Sequence, residues 1–280
     1  MPFSLYLLDY GKKKMKNPSF LIIIMAAFLL QCAGSGSHEQ GEERAAEPKI
    51  TVAVAANVQF AMKELEKAFE EESGADVNVV VSSSGKLAAQ ILQGAPYSLL
   101  ISADMKYPEA LRQGGKAAGS PKIYAYGALV LWTLREGAEL YPDPGFLLAD
   151  SIRKVAIANP RNAPYGEQAV NYLKYYGVYE AIQSKLAYGE SIAQTNQYIL
   201  AGTVEAGITA KSVVLSPEMK DKGKWVELPP QAYQPIGQGV VITSYGQENH
   251  PEECRKFFDF LFSESARQVF EQYGYSLPTN

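Results

Sequence analysis

Four runs of this sequence are rich in hydrogen-bond donors: Ala55-Ala56-Asn57, Ser82-Ser83-Ser84-Gly85, Asn159-Pro160-Arg161-Asn162-Ala163-Pro164-Tyr165-Gly166 and Glu190-Ser191-Ile192-Ala193. Each reads as a helix start that follows a strand. The first turn of a helix leaves N–H groups without an intrahelical partner, at the positive end of the helix dipole. Such a start attracts an anion without needing Lys or Arg. In an open α/β sheet these starts gather at the carboxyl edge of the strands, where ligands bind. Any one alone also fits an ordinary cap, with Asn57 expected to cap the helix it precedes. The chemistry lies in having four of them.

Covalent and metal chemistry have less to work with. The sequence holds two histidines and two cysteines, so a zinc cluster of four cysteines is excluded and a mixed one would consume every such residue. His38 lies in a polar stretch and His250 precedes Pro251 at a helix start, and there is no Gly-x-Ser-x-Gly elbow. A Ser-His-Asp triad therefore lacks a base. Gly85-Lys86 has neither the upstream glycine nor the following Ser or Thr of a phosphate loop. Tyr172, Tyr175, Tyr176 and Tyr179 fall on helical spacing and read as packing residues, not ferric-iron ligands. A net charge of −4 gives no basic surface for nucleic acid.

The elements that must position the four runs alternate along the chain. Ile50–Val54, Val77–Val81 and Leu99–Ile101 read as short buried strands. Between them, Val58, Ala61, Met62, Leu65, Ala68 and Phe69 mark a helix stopped by Gly74, and Lys86–Leu92 a second one ended by Gly94. A third helix is expected over Tyr107–Arg112. Strands are read at Ala128–Trp132, Val155–Ala158 and Gly207-Ile208, helices at Ala169–Tyr176 and Ile192–Leu200, and one long helical stretch at Glu252–Tyr273. This order argues for α/β architecture with mainly parallel sheets covered by helices. Composition agrees, at 47% hydrophobic and 20% charged residues.

The amino-terminal part reads differently. Lys12, Lys13, Lys14 and Lys16 precede an apolar run from Phe20 to Leu30, too short to span a bilayer at ~20 residues. A basic stretch before a short apolar core is the layout of a signal peptide, here residues 1–31, with Met15 as a conventional start. Leu29-Leu30-Gln31-Cys32 resembles a bacterial lipobox, which makes Cys32 a lipidation site. Gln31 departs from the small residue of that pattern, and the run also fits a plain signal peptide or an uncleaved anchor. Residues 32–48 read as a flexible tether. With Cys32 acylated, Cys254 is the remaining thiol and reads as a small buried hydrophobe.

From Lys49 to Pro278 the chain closely resembles ModA-type molybdate-binding proteins of bacterial ABC importers. The matching runs are Ile50-Thr51-Val52 through Asn57, Ser82-Ser83-Ser84 through Ile91, Gly94-Ala95-Pro96, Ile101-Ser102-Ala103-Asp104, Asn159-Pro160 to Gly166, Gly207-Ile208 and Tyr273-Gly274-Tyr275. The resemblance implies a two-lobed type II periplasmic binding protein fold with the ligand in the inter-lobe cleft. It places lobe one at residues 49–126 with 231–280 and lobe two at 127–230, with crossings near Gly127 and Pro229-Pro230. It implies molybdate-binding residues Asn57 and Ser84, donating through the side chain and, at Ser84, also the N–H, with Tyr165 and Ile192 donating main-chain N–H groups. Where some relatives add a tyrosine hydroxyl, this chain has Ala210. The implied protein is not an enzyme and has no cofactor, and no metal is coordinated directly. It is a monomer held to the membrane by lipid outside the cell, passing molybdate or tungstate to the membrane subunits of an importer. The rival readings are a binding protein for sulfate, phosphate or ferric iron, and an enzyme on the same two-lobed fold.

Overall fold

The structure is a computed structural model and describes residues 50–279. The signal-like run, Cys32 and the tether lie outside the described residues. The first stretch runs through β1 (Ile50–Ala55), α1 (Gln59–Ser73), β2 (Val77–Ser82), α2 (Ser84–Leu92), β3 (Leu99–Ser102), α3 (Lys106–Gln113) and β4 (Lys122–Gly127). The second holds β5 (Leu129–Thr133), β6 (Val155–Ala158), α4 (Pro164–Tyr175), α5 (Tyr179–Ile182), β7 (Leu186–Gly189), α6 (Ile192–Leu200), β8 (Ala206–Ala210), α7 (Lys211–Val214) and β9 (Lys224–Glu227). The chain then supplies β10 (Ile236–Ile242), α8 (Ser244–Asn249), α9 (Pro251–Phe260) and α10 (Glu264–Gln272).

These strands form two five-stranded sheets, ordered β2-β1-β3-β10-β4 and β7-β6-β8-β5-β9. In the first, β1 pairs in parallel with β2 and β3, and only β10 runs against its neighbours. In the second, β6 pairs in parallel with β7 and β8, and β5 is the opposed strand. The two sheets are thus built on one plan. Each edge strand, β4 or β9, feeds the opposed strand of the other sheet, β5 or β10. A single residue, Ala128, separates β4 from β5.

Buried strands explain why the sequence was readable here. Every residue of β3, β5, β6 and β8 is buried, and in β1 only Thr51 is partly open, so each strand is apolar but for at most one Ser or Thr. Helix α1 buries Phe60, Ala61, Met62, Leu65 and Phe69 on one face, and its carbonyl end closes with Gly74 N–H on Glu70 O. Phe69 meets the Phe257 ring edge-on at 4.9 Å, tying α9 to α1.

Several elements differ from expectation. The helix expected from Ala169 begins at Pro164, so Tyr165 and Gly166 lie within its first turn. The single helix expected over Glu252–Tyr273 is two, because Ser263 caps α10 by accepting from Ala266 N–H at 3.2 Å. Strands β4, β7, β9 and β10 were not anticipated. In β10, Gly237, Gln238 and Gly239 interrupt the apolar pattern, and the strand carries a register shift between Gln238 and Gly239. A bulge of this kind re-aims a side chain, and Gln238 is fully buried.

Candidate functional site

The carboxyl ends of β1, β2 and β3 on one side, and of β6 and β7 on the other, open onto one small cavity between the two sheets. Ala55, Ala56, Asn57, Ser83, Ser84 and Ala103 line it from the first lobe, with Ala163, Pro164, Tyr165 and Ile192 from the second. Asn57, Ser84, Tyr165 and Ile192, the four residues named from the sequence, all lie in this lining. All four are sealed from solvent, Ile192 being the most open at 4%. Among the described residues, no carboxylate, lysine, arginine or histidine lines the cavity. Ala210 ends β8, buried, and is not part of the lining.

Each donor is exposed by its local fold. Ser84 is the first residue of α2 and Ile192 the first of α6, so their N–H groups have no carbonyl four residues back within the helix. In α4 the first residue is Pro164, which has no N–H, so Tyr165 provides the first donor of that helix. The Ser84 hydroxyl accepts from Ala103 N–H at 3.0 Å, which leaves its own proton to point elsewhere. Around Asn57, Ala56 N–H is taken by Ser82 O and Val58 N–H by Ala55 O, whereas the Asn57 N–H finds no acceptor among the described residues.

The expected cap by Asn57 is not formed. Val58 holds the cap position of α1, with no side-chain hydrogen bond. The Asn57 amide instead donates to Gln238 Oε1 at 2.7 Å and to the Tyr275 hydroxyl at 3.0 Å. Its orientation follows from its neighbours. Gln238 Nε2 donates to Ala103 O and Ile236 O at 3.2 and 3.1 Å, which turns Gln238 Oε1 toward Asn57 and demands a donor there. Both amide protons of Asn57 are thereby used inside the protein. What Asn57 leaves without a partner among the described residues is its peptide N–H and its buried Oδ1.

The carbonyl of Asn57 has its own partners: the Tyr275 hydroxyl donates to it at 3.1 Å, and Ser212 Oγ, from α7 of the second lobe, at 2.7 Å. Burial pushes the hydroxyls of Tyr275, Tyr165 and Tyr124 well above the usual tyrosine range, which keeps this cluster neutral. The Tyr165 ring crosses toward the first lobe; a side chain on Gly127 would collide with its hydroxyl. Gln238, Tyr275 and Ser212 were missed in the sequence, as was Ser83, whose buried hydroxyl lines the cavity without a partner. The serine triplet was the available signal for Ser83.

The lobes are closed on each other. Gly85 N–H donates to Asn162 O at 2.9 Å across the cleft, and the Tyr107 hydroxyl reaches Arg161 O at 3.4 Å. A Cβ on Gly85 would come within 2.9 Å of the Asn162 backbone, so glycine there permits the approach. Lys63 pairs with Glu218 at 2.6 Å and Lys106 with Glu167 at 3.7 Å, and Lys86 also pairs with Glu190.

Comparison with known proteins gives concordant results. The family model for bacterial extracellular solute-binding proteins matches residues 50–276. The chain is 37% identical over 261 residues to the molybdate-binding protein ModA of Azotobacter vinelandii, a span of 92% of this chain and 98% of that one. It is 35% identical over 232 residues to ModA of Rhodobacter capsulatus, covering 82% and 89% of the two chains. The solved periplasmic molybdate-binding protein of A. vinelandii superposes with a TM-score of 0.77 at 30% identity, over 82% of this chain and 100% of that one.

Proposed function

Because the chain belongs to the bacterial extracellular solute-binding protein family, and within it to the ModA type, we propose that it captures molybdate, and also tungstate, between its lobes and delivers the ion to an ABC importer. The observation that carries this reading is the donor set. Asn57, Ser84, Tyr165 and Ile192, whose N–H groups have no partner among the described residues, line one sealed cavity together with the Ser84 hydroxyl, and no charged side chain of the described residues lines it. Such a cage suits a fully deprotonated tetrahedral oxyanion. Four to six hydrogen bonds to a charged group, at roughly 1.5–3 kcal/mol each less closure costs, support binding of about −8 to −12 kcal/mol.

The lobes in this reading are residues 49–126 with 231–280, and 127–230, turning about the strands near Gly127 and Pro229-Pro230. The protein works as a monomer outside the cytoplasm, anchored through lipid on Cys32. A thermal-shift panel tests the ligand. Molybdate and tungstate at a thousand times Kd add about 4 kcal/mol, raising Tm by roughly 8–16 °C; sulfate, phosphate and ferric citrate leave it nearly unchanged. No shift with molybdate, or an equal one with sulfate, would sink the proposal.

A further inference from the structure

The three ion pairs that join the lobes among the described residues share one polarity. Lys63, Lys86 and Lys106 all stand on the first lobe, and Glu218, Glu190 and Glu167 all on the second. Two of the pairs flank the cavity donors directly. Lys86 lies two residues after Ser84 and Glu190 two before Ile192, while Lys106 lies three after the lining residue Ala103 and Glu167 two after Tyr165. These side chains are about half-exposed, and pairs of that kind contribute little static stability. Their arrangement matters more for a charged ligand in transit.

The cavity residues are sealed when the lobes meet, so an ion enters only with the lobes apart. Separation breaks each pair and frees three lysines on the first lobe and three glutamates on the second, a contrast reduced but not reversed by Asp104 beside Lys106 and Arg161 opposite Tyr107. An anion is then drawn to one face and repelled by the other. We propose that Lys86 and Lys106 are capture residues: they place the oxyanion on the first lobe, against Ser84 and the Asn57 N–H, and the second lobe closes over it afterwards. This rests on the oxyanion-binding reading given above. Closure brings Glu190 and Glu167 onto the two lysines, so the charges that attract the ion are neutralised once it is enclosed.

The test is stopped-flow binding of molybdate to the full protein, followed by its intrinsic fluorescence at low and high salt. Lys86→Gln combined with Lys106→Gln should lower the association rate by about three- to tenfold at low ionic strength, with the difference fading as salt screens the rim. The sharper variant is the charge swap, Lys86→Glu with Glu190→Lys, which restores the closed-state pair with reversed polarity. Dissociation should stay near the wild-type rate while association remains slow. A swap that recovers the wild-type association rate would mean either lobe captures equally well, and overturns the proposal. Unchanged association in the glutamine variants overturns it too. Wild-type protein that binds no molybdate in an equilibrium titration removes the oxyanion reading itself, and this inference with it.

Discussion

The two lobes carry the same strand plan but furnish the cavity in different ways. The first brings a residue whose side chain is enmeshed in a buried network, Asn57, and one whose hydroxyl faces the cavity, Ser84. In the proposed site the second brings peptide groups alone, at Tyr165 and Ile192, which a proline or a helix start leaves without an intrahelical partner. A side-chain donor ties function to residue identity. A peptide donor ties it to backbone path, and many sequences trace the same path. Side-chain substitutions in the first lobe should therefore be costly, and those in the second nearly silent for binding as long as the peptide N–H is kept.

Asn57→Ala should have the largest effect. It removes both donors of the amide, leaving Gln238 Oε1 without its partner in a buried setting, while the Tyr275 hydroxyl loses one donor and keeps the Asn57 carbonyl. Unsatisfied buried groups and the lost hydrogen bonds cost about 1–3 kcal/mol each, so ligand-free stability should fall by roughly 2–4 kcal/mol, and affinity by less, because the free and bound protein share that cost. Calorimetric titration and denaturant unfolding report the two quantities. Loss of affinity with stability untouched would mean that the amide serves the ligand directly.

Ser84→Ala comes next and should separate the two readouts. It removes one hydroxyl donor from a desolvated charge, worth roughly 1–3 kcal/mol of affinity. The Ala103 N–H loses its acceptor, a smaller cost shared by the free and bound protein. Affinity measured by titration should therefore drop more than unfolding stability. A drop in stability larger than that in affinity would move Ser84 out of the donor set.

How much of this was legible in the sequence depended on distance along the chain. The strand-then-helix order of β1, α1, β2 and α2 was readable because buried strands carry unbroken apolar runs and helices repeat every three to four residues. The four helix starts were readable for the same reason, each being local, and the resemblance picked out Asn57, Ser84, Tyr165 and Ile192 within them. The role of Asn57 was not, because its partners Gln238 and Tyr275 lie 181 and 218 residues away. No local pattern joins them. Strand β10 was hidden by its own function: Gly237, Gln238 and Gly239 break the apolar pattern where the register shift lies. Ser212 was equally invisible, since its bond to the Asn57 carbonyl joins the two lobes.

That bond gives a smaller and more selective effect. Ser212→Ala removes one neutral hydrogen bond between the lobes, worth about 0.5–1.5 kcal/mol, while the Tyr275 hydroxyl still serves the Asn57 carbonyl. The loss falls on the closed form. Molybdate affinity should weaken by a few fold, mainly through faster dissociation, with ligand-free unfolding unchanged. An equal loss of ligand-free stability would show that Ser212 holds the lobes together whether or not the ion is present.

Ile192→Val should have the smallest effect on binding and is the most direct check on the second lobe. Ile192 is buried, so losing a methylene costs about 0.5–1.5 kcal/mol of stability. Its proposed donor is the peptide N–H, which valine keeps, so affinity should move by less than about 0.5 kcal/mol, roughly the span of one weak helical side-chain pair. Proline at the same position makes the complementary measurement. The first residue of a helix tolerates proline, and Ser191 before it already has the extended backbone, φ −154° and ψ 173°, that a following proline requires. Ile192→Pro thus deletes the N–H while keeping the helix start, and affinity should fall by roughly 1.5–3 kcal/mol, as for a hydrogen bond to a charged group. If valine weakens binding as much as proline does, the second lobe recognises its ligand through side chains after all, and the contrast between the lobes fails.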